Sequence, residues 1–309
     1  MAAETILIIK HGALGDWILA TGVYKAIRRH HPKAYLIFLT STPFVDLAKQ
    51  TKWFNEIWVD DRKSFFSIAT LRVLFRIRQK KFLIVYDIQC SERTAWYRRF
   101  SKKTTEHWYH RTADSEENYQ NLPAPHILER MSRRLVAAGI SDFPVPDVAW
   151  LRADISQLKF PKPYILIIPG CSPKHLDKRW TIDGYINFIK TMFEKGFVSI
   201  LVGGPADKAI IDNIFEHTGA FQSVNLMKDS VSLAVLSELS HSAIGAIGSD
   251  TGPMHIVGLS CPSLVLFSSA SNPARSRPWG AKVAVLQVEN LKELEANVVV
   301  DRFSQLVGF

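Results

Sequence analysis

The chain has 309 residues, 47% hydrophobic and 22% charged, a composition that suits a globular protein of two domains of about 150 residues each. It excludes a membrane-spanning protein, because no apolar run approaches the ~18 residues of a span. It also excludes a disulfide scaffold or a zinc site, because Cys90, Cys171 and Cys261 are few, odd in number and far apart.

The start, Met1-Ala2-Ala3-Glu4, lacks the basic region of a signal peptide, so a reducing cytoplasm is the expected compartment. The formal charge of +9 is unevenly spread. Residues 62–111 hold 13 Lys and Arg against 3 Asp and Glu, which leaves the rest of the chain at −1. Trp96, Tyr97, Phe100, Trp108 and Tyr109 interleave with that block. Such a segment is either a solvated face or a docking surface for something anionic: a phosphorylated lipid, a bilayer or a nucleic acid.

Hydrophobic periodicity alternates along the chain. It predicts a strand over 5–10 and a helix over 16–30, with Ile18, Leu19, Val23, Ala26 and Ile27 at helical spacing. A strand at 34–39, a helix at 64–79, a strand at 82–88 and a helix at 125–139 follow. Phe143-Pro144-Val145-Pro146 and Phe160-Pro161-Lys162-Pro163 then mark a change of unit. The alternation restarts with a strand at 164–168, a helix at 182–195, a strand at 197–202 and helices at 206–217 and 232–241. A strand at 243–248, a short helix near Gly252, a strand at 263–267 and a helix over 291–307 complete it. Two such βα series predict two doubly wound α/β domains facing a central cleft, residues 1–150 and 151–309, with the last helix able to pack back on the first domain.

Three turns carry chemistry. Lys10-His11-Gly12-Ala13-Leu14-Gly15-Asp16 follows the first strand, and Gly12 and Gly15 let the backbone bend and approach a ligand. It is not G-x-G-x-x-G, and the second strand ends Leu39-Thr40-Ser41-Thr42 without the acidic residue a ribose needs, so a nicotinamide fold is disfavoured. Asp16 suits a helix N-cap, a general base, or both. After the strand at 164–168 come Pro169-Gly170-Cys171-Ser172 and then Lys178-Arg179-Trp180. There Lys178 can neutralise a diphosphate and Ser172 can donate a hydroxyl, although a surface lysine with Trp180 packed beneath reads equally simply. The third turn, Ser249-Asp250-Thr251-Gly252-Pro253-Met254-His255, opens a helix at a strand's carboxyl end. Asp250 or Thr251 can cap it, Pro253 suits its first turn, and its backbone N–H groups face an anion.

Taken in order, these motifs resemble the heptosyltransferases of lipopolysaccharide core assembly, glycosyltransferase family 9, which have the GT-B fold. The likeness rests on Gly12-Ala13-Leu14-Gly15-Asp16, on Pro169-Gly170 with Lys178-Arg179-Trp180, and on Asp250 to His255; Asn225-Leu226 adds to it. The resemblance implies inverting transfer of a sugar, heptose in the family, from an ADP-sugar to a lipid A–Kdo type acceptor, with no metal and no cofactor. It implies that Asp16 is the catalytic base and that Lys178 offsets the leaving diphosphate. Ser172, Lys178, Asp250, Thr251, Gly252 and His255 would then border the donor in the C-terminal domain. The N-terminal domain would bind the acceptor, its phosphates on Arg98, Arg99, Lys102 and Lys103, at the inner face of the cytoplasmic membrane. Two stretches depart from the family pattern: Ser268-Ser269-Ala270-Ser271 stands where a Gly-Pro pair is usual, and Met227-Lys228 where Ala-Gly is. Both bear on the donor more than on the reaction class. Another GT-B nucleotide-sugar enzyme such as an epimerase, a basic nucleic-acid-binding protein, and a catalytically dead acceptor-binding relative are the competing readings.

Overall fold

The computed structural model describes residues 4–110, 125–226 and 231–309. The chain divides into two compact units, Met1–Trp150 and Leu151–Phe309. Arg111 of the basic block and the departure at Met227-Lys228 lie outside the described residues.

The first unit is built on five parallel strands: β1 (Thr5–Ile9), β2 (Tyr35–Thr40), β3 (Glu56–Val59), β4 (Phe82–Asp87) and β5 (Thr105–Tyr109). They lie in the order β3-β2-β1-β4-β5. Its helices are α1 (Leu14–Leu19), α2 (Thr21–His30), α3 (Val45–Thr51), α4 (Ile68–Gln79), α5 (Glu92–Ser101) and α6 (Ile127–Ala137). Because β1 is central, all but one of its residues is buried, and alternate side chains enter opposite layers. Leu7 and Ile9 pack with Val73 and Ile77 of α4 and Tyr97 of α5. On the other face Phe38 meets Trp17 of α1 and Tyr24 of α2, with ring centroids 6.2 and 5.1 Å away. Each such fully buried side chain contributes about 1.5–3 kcal/mol.

The second unit holds six parallel strands: β6 (Tyr164–Ile168), β7 (Val198–Leu201), β8 (Ser223–Asn225), β9 (Gly245–Ser249), β10 (Ser263–Phe267) and β11 (Val283–Gln287). Their order is β11-β10-β9-β6-β7-β8. The helices are α7 (Ile182–Glu194), α8 (Lys208–Gln222), α9 (Leu233–Ser242), α10 (Gly252–Val257), α11 (Pro273–Ser276) and α12 (Ala296–Val307). Ile165 and Ile167 pack with α7, α8 and α12, while Tyr164, Leu166 and Ile168 pack with α9 and α10. Both units are therefore doubly wound, with helices on both faces of a parallel sheet.

Several predicted elements change on inspection. The 16–30 helix is two helices, α1 and α2, joined at Ala20, where Thr21 Oγ1 takes the Ile18 carbonyl at 2.7 Å and competes with the regular ladder. α4 begins at Ile68, not at 64, because Ser67 caps it by accepting from Thr70 N. α8 extends past 217 to Gln222, with Gly219 at φ +67° making the break. The last segment starts as a single tight turn, Leu291–Glu293, before α12. Val299, Val300 and Phe303 of α12 are buried in the second unit's own core.

Candidate active site

In an open parallel sheet, ligands bind beyond the carboxyl ends of the strands where the strand order reverses. In the first unit that point lies between β1 and β4. Gly12 turns there at φ +134°, and a Cβ would stand 2.3 Å from the Phe44 ring, so only glycine fits. Gly15 and Asp16 fall inside α1, whose N-cap is Ala13. The expectation that Asp16 is the N-cap is thereby corrected: it is the third residue of α1, within the first turn. Its carboxylate faces Lys10, with Nζ 3.4 Å from Oδ2. The lysine side chain is 3% exposed and the aspartate 36%. Burial pulls the Lys10 ammonium below the usual lysine value, and Asp16 opposes that pull. The result is a solvent-reachable carboxylate fixed by a buried cation.

A second cluster props up the same turn. His11 Nε2 lies 2.9 Å from Asp60 Oδ2, and Asp60 also receives Arg93 through Nη2 at 2.7 Å and Nε at 2.8 Å. The Tyr97 hydroxyl donates to it as well. Burial alone would raise the Asp60 carboxyl, but the hydrogen bonds from His11, Arg93 and Tyr97 outweigh it and hold the group well below the carboxylate range. His11 N donates to Gln89 Oε1 at 3.0 Å, which ties the turn to the end of β4. Beside it, Asp87, Cys90, Ser91, Glu92, Arg98 and His110 line a cavity of about 270 Å³.

In the second unit the order reverses between β6 and β9. The turn after β6 passes so close to Asp207 that a Cβ on Gly170 would fall 2.1 Å from its carboxyl carbon. Ser172 is exposed, and its Oγ accepts from Lys174 N at 3.4 Å. Lys178 ends a tight turn, Leu176–Lys178, and its Nζ donates to Asp250 Oδ2 at 2.7 Å. Here both side chains are largely enclosed, 18% and 9% exposed. The capping expected of Asp250 or Thr251 is corrected accordingly. Thr251 is the N-cap of α10 but makes no side-chain cap bond, and Asp250 spends its carboxylate on Lys178. Gly252 starts the helix, Pro253 sits in its first turn, and His255 is buried within it. Trp180 is packed beneath this turn, fully buried, and donates through Nε1 to the Leu294 carbonyl at 2.8 Å. Ser268, Ser269 and Ala270 instead line a cavity of about 440 Å³ with Arg179, Glu289 and Lys292.

The family model for glycosyltransferase family 9 (heptosyltransferase) matches residues 70–306. The chain belongs to glycosyltransferase family 9. It is a heptosyltransferase-family glycosyltransferase with the GT-B fold. Among solved structures it is similar to a family 9 glycosyl transferase from Veillonella parvula DSM 2008 at 19% identity and a TM-score of 0.75, covering 98% of this chain and 97% of that one. It is also similar to E. coli ADP-heptose lps heptosyltransferase II, at 17% identity and 0.71 over 98% of each chain. Against E. coli heptosyltransferase WaaC with ADP-2-deoxy-2-fluoro heptose the values are 16% and 0.74, over 97% and 99%. No curated protein sequence matches the chain.

The family 9 match leaves out the glycine turn, so the reading of Asp16 rests on geometry and on the motif. Of the sequence-predicted residues, the fold joins Lys178 directly to Asp250. It separates the four basic ones: Arg98 bonds His110 and lines the cavity at the end of β4, while Arg99 stacks on Trp96 at 5.2 Å and Lys102 and Lys103 face solvent. The sequence reading quoted Lys10 and His11 in the turn without giving them a role, and it omitted Asp60 and Arg93. Their signal is polar residues directly after apolar strands, at 10, 11 and 60. Among the described residues no group of three or more His, Cys, Asp or Glu is arranged to hold a metal ion, and no helix is long and apolar enough to cross a membrane.

Proposed function

We propose that this glycosyltransferase moves heptose from ADP-heptose to a lipid A–Kdo type acceptor, in one inverting step without a metal, at the inner face of the cytoplasmic membrane. One observation carries the reading: a solvent-reachable carboxylate, Asp16, held by buried Lys10 beyond the end of β1. A single displacement needs one base. Asp16 takes the proton from the acceptor hydroxyl as that oxygen bonds the anomeric carbon, and the bond from that carbon to the diphosphate breaks with its electrons leaving on ADP. Lys178 turns from Asp250 to the departing phosphates, and the backbone N–H groups at Thr251 and Gly252 add to the same stabilisation. Ser172 and His255 border the nucleotide in this reading, and Asp250, released from the lysine, accepts from a sugar hydroxyl. Arg98, Arg99, Lys102 and Lys103 receive the acceptor's phosphates, with Arg98 nearest the end of β4.

The test is a transfer assay with purified protein, a lipid A–Kdo acceptor and a panel of nucleotide-sugars, with the anomeric configuration of the product read by NMR. ADP-heptose turning over with inversion in chelator is the expected result. Transfer from a different nucleotide-sugar would discard heptose and keep the reaction class. Donor turnover without acceptor would favour an epimerase. Neutralising Arg98, Arg99, Lys102 and Lys103 together should raise the acceptor KM at least tenfold and leave donor affinity alone.

A further inference from the structure

α4 carries two apolar stripes. Thr70, Val73 and Ile77, spaced three and four apart, are buried in the first unit's core. With about 3.6 residues per turn, Ile68, Leu71 and Phe75 fall on the opposite side of the same helix. That side faces water: Ile68 is 68% exposed and Phe75 60%, and Phe66, in the turn leading into the helix, is 92% exposed. A surface helix needs only the buried stripe. Scattered exposed apolar residues are ordinary, whereas a contiguous row of large ones marks an interaction surface.

The row continues onto α5. The Phe65 ring lies 6.0 Å from Trp96, and Trp96 lies 6.4 Å from Phe100, all three exposed. Cations border the apolar row throughout. Arg72 and Arg78 flank the α4 stripe on its two sides, Arg62 and Lys63 precede it, and Arg99 covers Trp96. Between residues 62 and 103 the acidic side chains are Asp87, which is buried, and Glu92.

We infer that this face of α4 and α5 docks on an anionic bilayer surface. Phe66, Leu71 and Phe75 enter the boundary between headgroups and acyl chains, and the arginines and lysines beside them meet lipid phosphates. Charge selects this occupant. A second copy of the chain would bring the same cations against themselves, while a membrane leaflet supplies the opposite sign over a broad plane. The inference deepens the proposed function, whose acceptor is borne on a lipid, by naming the surface that holds the enzyme there.

The test is flotation of the full chain with vesicles of phosphatidylcholine alone and of phosphatidylcholine with phosphatidylglycerol, neither containing donor or acceptor. Wild type should float with the phosphatidylglycerol vesicles and release as salt rises. Phe66→Ser with Phe75→Ser should weaken vesicle affinity about tenfold. Arg72→Gln with Arg78→Gln should weaken it about thirtyfold, roughly fivefold for each cation removed. All four side chains are exposed, so thermal unfolding should not move. Absence of flotation by wild type overturns the inference. So does full binding by the phenylalanine variant, which reduces the contact to surface charge, and so does a dimer in solution that this variant abolishes. Because the vesicles carry no substrate, failure here leaves the sugar-transfer reading intact, and failure of transfer leaves this one intact.

Discussion

Each unit sets a lysine against an aspartate beyond the carboxyl ends of a parallel sheet, and the two pairs are built oppositely. In the first, Lys10 is buried and Asp16 is open, 3.4 Å apart. In the second, Lys178 and Asp250 are both enclosed and closer, at 2.7 Å. An open carboxylate backed by a buried cation can take a proton from a substrate without leaving its place. A closed pair stores a cation whose charge is already matched, so an anion must displace Asp250 before Lys178 can serve it. On that difference rests our proposal of proton transfer at the first pair and charge compensation at the second.

The largest effect should come from the cluster beneath the first pair. Replacing Asp60 with Asn leaves Arg93 enclosed without its counter-charge and His11 without its carboxylate partner, which costs about 3–5 kcal/mol. The midpoint of thermal unfolding should fall by roughly 10 °C. An unchanged midpoint in calorimetry would mean that the His11–Asp60–Arg93 cluster does not hold the turn, and the rigidity ascribed to the first pair would go with it.

The second pair offers an effect of about 2 kcal/mol and a contrast of sign. Lys178→Met should weaken ADP binding by roughly 10–100-fold, since a hydrogen bond to a charged group contributes about 1.5–3 kcal/mol. Asp250→Asn releases the lysine and should leave ADP binding unchanged or tighter. Equal weakening in both variants, read by isothermal titration, would show that the pair acts as one structural strut.

The smallest effect separates folding from chemistry in acid. Burial, then His30 and Arg28, lower His31 from 6.5 to about 4. As pH falls through that window the unfolded chain takes up a proton that the folded chain refuses, so stability drops. The group remains partly exposed, and after allowance for solvent screening its share is about 1 kcal/mol. His31→Asn should flatten urea stability between pH 6.5 and 4, and an identical slope in both proteins would assign the acid loss elsewhere.

The sequence showed the central strands and the glycine turns because their signals are local. β1 and β6 are unbroken apolar runs, Asp16 follows Gly15, Asp250 follows the last residue of β9, and Lys178 stands in the Lys-Arg-Trp run of the turn after β6. The elements it hid are those at the edges. β5 reads Thr-Glu-His-Trp-Tyr and is only partly covered, and β3 and β8 are four and three residues long, so none of these three sustains an apolar pattern; β11, Val-Ala-Val-Leu-Gln, is an apolar run that is only partly covered and that the sequence reading passed over. α5 escaped for a related reason, since its outer face carries Trp96 and Phe100 where polar residues are expected. The site was half legible on the same grounds. Lys10 and Asp16 are six residues apart, but Asp60 reaches His11 across 49 positions and Lys178 reaches Asp250 across 72, and no spacing rule joins such residues before the sheet order is known.

The division of labour between the two pairs is the central claim, and one paired measurement tests it: donor affinity and single-turnover transfer, measured together on Asp16→Asn and Lys178→Met. The account predicts that Asp16→Asn binds the ADP-sugar like wild type but transfers it about 10²–10⁴-fold more slowly, while Lys178→Met loses donor affinity first. Wild-type transfer by Asp16→Asn, or loss of donor binding in that variant, would contradict it.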